Sequence, residues 1–95
     1  MTINIGIIGL GIMGADHAKI IHSKTANAKV TAVYDSNINQ AKKIIKDLGN
    51  PEIKNSGFEV INSKNVDAIM VVSPDKTHVE FVLECIKLDK PVLCE

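Results

Sequence analysis

Disulfide scaffolds, metal clusters and membrane spans all need residues that this chain scarcely has. It holds two cysteines in 95 residues, too few for a disulfide framework and without metal-ligand spacing. Cys85 and Cys94 are therefore expected as reduced, structural thiols, in keeping with the tendency of free cysteine to be buried, and no metal is implied. Lys plus Arg number 11 and Asp plus Glu number 11, so no net field draws the chain to nucleic acid or an anionic membrane. No apolar run approaches the roughly 20 residues that cross a bilayer. The opening stretch MTINIGIIGL lacks a basic n-region and a small-residue cleavage site, which makes the cytoplasm the default expectation. Internal repeats, low-complexity tracts and linkers are missing too. What remains is an ordinary globular composition, 45% hydrophobic and 23% charged, in a length that suits one small domain with one core.

Apolar residues along the chain alternate between short continuous runs and segments with a 3.6-residue repeat, the signal for βα units around a parallel sheet. Strands are predicted at Ile3 to Ile8, Lys29 to Tyr34, near Ile53, at Ala68 to Val72 and at Pro91 to Cys94. The fourth run, AIMVV, has no polar alternation, as expected of a central strand covered by helices on both faces. A first helix follows the first strand. Ile38, Ala41, Ile45 and Leu48 mark a second, with Ser36 and Asn37 as capping candidates and Gly49 and Pro51 as its stop. A short helix is predicted over Phe58 to Ser63. Val79, Val82, Leu83 and Ile86 mark the last helix, with Asp75 as N-cap, Cys85 on its inner face, and Lys87 and Lys90 near its negative C-terminal end.

Directly after the first strand comes Gly9-Leu10-Gly11-Ile12-Met13-Gly14, a G-x-G-x-x-G that opens the first helix. Gly9 permits the tight turn, Gly11 leaves room for a pyrophosphate against the backbone, and Gly14 lets the helix pack close to the sheet. The unpaired amides of the helix's first turn, backed by the helix dipole, would meet that phosphate. Asp35 lies 21 residues after Gly14, close to the roughly 20 expected of a ribose-binding acid. A carboxylate there accepts bonds from both ribose hydroxyls and repels a 2'-phosphate, and no Arg or Lys accompanies Ser36 and Asn37 in that turn. NAD is thus favoured over NADP. Candidate cofactor contacts are Gly9, Gly11, Ile12, Met13, Gly14, Asp35 and Ser36. The blander alternatives are a βα turn with no ligand and, for Asp35, a helix-capping acid. His17, on the apolar face with Met13, Ile20 and Ile21, reads as a packed or hydrogen-bonded core residue. His22 near the helix end is suited to interact with the dipole there, and Lys42, Lys43 and Lys46 form a solvated helix face.

With these features, the segment SPDKTHVEFVLECIKLDKPVLCE at 73–95 makes the chain resemble the N-terminal domain of the glucose-fructose oxidoreductase and myo-inositol dehydrogenase (Gfo/Idh/MocA) family. The resemblance covers all 95 residues. It is carried by GIIGLGIMGADH at Gly6 to His17, by Ser73-Pro74 with His78, and by Val92-Leu93-Cys94-Glu95. It implies a Rossmann-type α/β fold: a doubly wound parallel sheet in three α/β/α layers with strand order 3-2-1-4-5. It adds Ser73, Pro74, His78 and Glu95 as cofactor neighbours, although Ser73-Pro74 also suits a plain strand end and His78 a first-turn helix residue. Two departures are visible. Asp75 stands where the family often has Asn, and Leu88-Asp89-Lys90 replaces the usual Gly-containing helix stop, at some cost in capping.

In the resembled family the motif continues from Glu95 into Lys-Pro, so its catalytic Lys, and the Asp and His of its larger second domain, have no counterpart in these 95 residues. Residues 1–95 are accordingly expected to be an incomplete dinucleotide-binding domain with no catalytic residue of its own. The resemblance implies a full-length enzyme that transfers hydride between a CH-OH group of a sugar, inositol or related polyol and the nicotinamide, with this chain as its cofactor-holding half. Two other readings stand beside it: a stand-alone NAD(H)-sensing module, and a truncated remnant without function. In each, the fifth strand leaves an open apolar edge that invites pairing into an oligomer.

Overall fold

The computed structural model describes residues 2–24, 26–72 and 78–94, apart from the side chains of Ile12, Met13 and Lys24. The sheet is built from β1 (Ile3–Ile8), β2 (Ala28–Tyr34), β3 (Glu52–Ile53), β4 (Ala68–Val71) and β5 (Val92–Cys94). Its order is β3-β2-β1-β4-β5, with every adjacent pair parallel. Helices α1 (Ile12–Lys24), α2 (Ile38–Ile44), α3 (Gly57–Ile61) and α4 (His78–Lys87) lie between the strands in sequence. The chain runs outward from β1 to β3, then crosses back to β4, so the carboxyl ends of β1 and β4 diverge at the topological switch.

Two cores flank the sheet. On one face Ile7, Val30 and Val33 pack with Ala15, Ala18 and Ile21 of α1 and Ala41 and Ile44 of α2. On the other, Ile8, Ala32, Ile69 and Val71 pack with Val60 and Ile61 of α3 and Phe81 and Cys85 of α4. Val30 and Val33 share a face despite odd spacing because the register slips between Ile5↔Val30 and Gly6↔Ala32. Thr31 is the extra residue of this bulge, and it resets the two-residue alternation. Its hydroxyl donates to the Asn65 carbonyl at 2.8 Å.

The second helix differs from expectation at its end. It is α-helical only to Ile44 and tightens into a 3-10 turn over Ile45–Leu48. Asn37, rather than Ser36, is the N-cap, its side chain accepting from the Gln40 amide, and Gly49 ends the run in the left-handed region at φ 78°. The short helix starts at Gly57 behind the Ser56 cap. Asp75, expected to cap the last helix, lies outside the described residues.

Four further expectations are corrected. The apolar spacing that marks α4 belongs mostly to its outer side: Val79, Leu83 and Ile86 are 66%, 60% and 67% exposed, while Phe81 and Cys85 face the sheet. The helix is apolar on two sides, so periodicity identifies it without identifying its buried face. β4 is fully covered on the α3/α4 face but only partly on the other, where Met70 packs against the α1/α2 core and also lines, with Ile5, Pro91 and Leu93, an open apolar groove. Cys94 is exposed rather than buried, and both thiols are free. In α1, Ile20 is 51% exposed, and Ala15, Ala18 and Ile21 form the packed face, with His17 half-buried beside it. Among the described residues no helix is long and apolar enough to cross a membrane, and no cluster of His, Cys, Asp or Glu could hold a metal.

Candidate functional site

The sharp exit from β1 is enforced by backbone geometry. Gly9 sits at φ 101°, a conformation that costs an L-residue with a side chain roughly 1–2 kcal/mol, and its amide donates to the Tyr34 carbonyl at 2.8 Å. α1 then packs tightly over that turn: a Cβ on Gly14 would lie 2.0 Å from the Gly9 carbonyl oxygen and 3.5 Å from the Val72 Cβ. Gly11 is the exception. It is exposed, its φ lies outside the left-handed region, and a Cβ added there meets nothing among the described residues within 4 Å. Its carbonyl accepts the first i→i−4 bond of the helix, from the Ala15 amide at 2.8 Å. The amides of the next three residues precede any possible intrahelical partner, and the helix dipole adds positive potential where they point.

Asp35 follows β2 and reaches back to this turn. Its Oδ2 accepts from the Leu10 amide at 2.6 Å and its Oδ1 from the Asn37 amide at 2.8 Å. The carboxylate is half-buried, and each oxygen keeps lone-pair capacity beyond its one protein donor. Asp35 therefore does tie down a helix start, as its bland reading held, while remaining able to accept from a diol.

The structure brings Gly9, Gly11, Gly14 and Asp35 together at the carboxyl ends of β1 and β2, with Val72 at the end of β4 beside them. Ile12 and Met13 open α1. Ser36 is exposed in the bend after Asp35. His78 is the first residue of α4 and half-buried. Ser73, Pro74 and Glu95 lie outside the described residues. Away from this end, the His22 ring sits over the Gly49 turn, where a Cβ would meet its Cε1 at 3.0 Å. Lys42, Lys43 and Lys46 are exposed, as expected. Sequence reading missed Leu10 and Gln40. Leu10 is fully buried, and Gln40 stands three residues after the Asn37 cap, the spacing of a capping box, which is the signal that could have drawn attention to it.

Comparison with known proteins gives this geometry a family. A model described as "Oxidoreductase family, NAD-binding Rossmann fold" (GFO_IDH_MocA) matches residues 3–95. The chain belongs to this family. As a Gfo/Idh/MocA domain it is 50% identical over its full length to inositol 2-dehydrogenase of Azotobacter vinelandii, and 45% identical to that of Acidiphilium cryptum. It superposes with a TM-score of 0.91 and 30% identity, over 99% of its length, on scyllo-inositol dehydrogenase of Lactobacillus casei solved with NAD(H) and scyllo-inositol. The chain spans 28% of the length of the Azotobacter protein and 28% of the Lactobacillus chain. The Gfo/Idh/MocA domain is thus an NAD-binding Rossmann domain with the strand order that the resemblance implied.

Proposed function

We propose that residues 1–95 hold NAD for an oxidoreductase acting on a CH-OH group of inositol, a sugar or a related polyol, and that the acid-base residues for this reaction lie outside them. The observation that carries the site assignment is Gly11. Neither backbone conformation nor packing among the described residues asks for glycine there, whereas a pyrophosphate approaching the α1 amides does.

In this reading Gly9, Gly11, Ile12, Met13 and Gly14 supply the phosphate-facing backbone. Asp35, with Ser36 beside it, accepts from the ribose hydroxyls, and its negative charge disfavours a 2'-phosphate. Ser73, Pro74, His78 and Glu95 are cofactor neighbours by family resemblance. When bound, NAD supplies the hydride acceptor, and this chain's residues bind and orient it. The relatives that accept inositols support the polyol class. The two unpaired thiols suit a cytoplasmic location, and the open edge of β5 suits an oligomer.

Calorimetric titration of the chain with NADH and NADPH tests the Asp35 assignment. NADH is expected to bind at least tenfold more tightly, and equal affinities would remove it.

A further inference from the structure

α4 buries Phe81 and Cys85 against the sheet and turns a second apolar stripe outward. Val79, Leu83 and Ile86 follow one another at steps of four and three residues, the spacing of a coiled-coil seam. They are 66%, 60% and 67% exposed. At 3.6 residues per turn they fall on the side of the helix opposite Phe81 and Cys85, so they point away from the sheet. Phe58 of the neighbouring α3, 41% exposed with its ring 5.2 Å from that of Phe81, adds apolar surface in the same layer. An aligned row of this kind is a patch, unlike apolar residues scattered singly.

The charges beside the stripe indicate what covers it. Glu80 and Lys87 are exposed, stand two helical turns apart, and flank the stripe on the same side. A second α4 can lie antiparallel across the first, about a two-fold axis beside Leu83. Leu83 then meets its own copy, Val79 meets the partner's Ile86, and Glu80 lies alongside the partner's Lys87. Symmetry makes each contact occur twice, so four charges form two opposite pairs at the seam-flanking positions that set partner and orientation. The helix dipoles favour the same antiparallel arrangement. Other nearby charges are engaged elsewhere. Lys90 turns its Nζ inward to the Ile61 and Ser63 carbonyls, and Glu84 accepts from Asn62 Nδ2 of the α3 end at 3.1 Å.

We propose that this chain pairs with a second copy of itself through the outer face of α4, in an antiparallel two-fold contact. The contact uses no residue of the glycine turn and does not depend on the NAD-binding reading. Strand pairing through the open edge of β5 is its competitor. One stripe on a ten-residue helix is a narrow interface, so pairing is weak and follows concentration.

The test is sedimentation equilibrium of the chain from about 10 μM to about 1 mM, the range in which so small an interface associates, with melting temperatures on the same samples. Dimer should accumulate across that range. Leu83→Lys, at an exposed position, should leave the melting temperature of the dilute chain near wild type and raise the dissociation constant at least tenfold, because the dimer loses that burial twice. Glu80→Lys and Lys87→Glu should each weaken pairing about fivefold, since each sets like charges together twice. An equimolar mixture of these two variants should pair more tightly than either alone, and Glu80→Lys/Lys87→Glu in one chain should recover the wild-type constant within about twofold. A chain that stays monomeric or forms only a polydisperse aggregate overturns the proposal. So does a dimer indifferent to Leu83→Lys, which would point to the β5 edge, and so does a pair of charge variants that gain nothing on mixing.

Discussion

Gly11 and Gly14 stand three residues apart and answer to different constraints. At Gly14 the limit is internal, a carbonyl oxygen that would lie 2.0 Å from any Cβ, while at Gly11 no described atom comes within 4 Å. Both were legible as a spaced pattern, and so was Asp35 by its distance along the chain. The link between them through the Leu10 peptide was not, because a hydrogen bond between residues 25 apart leaves no periodicity to read. Cysteine chemistry belongs to the same scale. Burial pushes the Cys85 thiol above its ordinary pKa of 9.0, as do the nearby Cys94 and Glu84, against a lowering by Lys90. Below that pH the thiol is protonated folded or unfolded and contributes no slope. Above it the unfolded chain releases a proton that the folded chain retains, so stability should fall as pH rises beyond about 9. Urea denaturation at pH 8 and pH 10 should show this loss, with a smaller difference in Cys85→Ala; an unchanged difference would assign the alkaline loss elsewhere.

Among the elements, caps proved more readable than faces. Asn37 and Gly49 were identifiable because capping depends on local chemistry, a short acceptor side chain at one end and a left-handed residue at the other. The buried side of α4 was not, because its outward stripe of Val79, Leu83 and Ile86 is as apolar as the inward Phe81 and Cys85. The bulge at Thr31 was equally hidden, being a property of the β1/β2 register. The end of α4 gives a direct prediction. Asp89 takes the left-handed position at φ 57°, and the Lys90 amide donates back to the Cys85 carbonyl at 2.9 Å, so this stop has the geometry of a glycine cap without the glycine. Asp89→Gly should raise stability by about 1 kcal/mol, measured by chemical denaturation. A loss would mean that the Asp89 side chain contributes more than its backbone strain costs.

For the whole molecule, the alternation of runs indicated a parallel α/β sheet and the glycine turn the end that would carry the site, while the strand order came from the family resemblance. The uncovered surfaces were not legible, since residue pattern cannot reveal which neighbours a strand lacks. Leu93 on β5 is 53% exposed, and with Met70 and Ile5 it leaves an apolar groove beside β4 and β5; a parallel sheet is ordinarily covered on both faces. In the proposed reading the reaction needs more than these residues while cofactor binding does not, and Gly11 is the position that would separate a built site from a bare turn. Isothermal titration of NADH into the wild-type chain and Gly11→Val, with melting temperatures taken on the same samples, is the most direct test. The account predicts at least a tenfold loss of NADH affinity in Gly11→Val with a melting temperature close to wild type. Undiminished binding in Gly11→Val, or a wild-type chain that takes up no NADH, would contradict it.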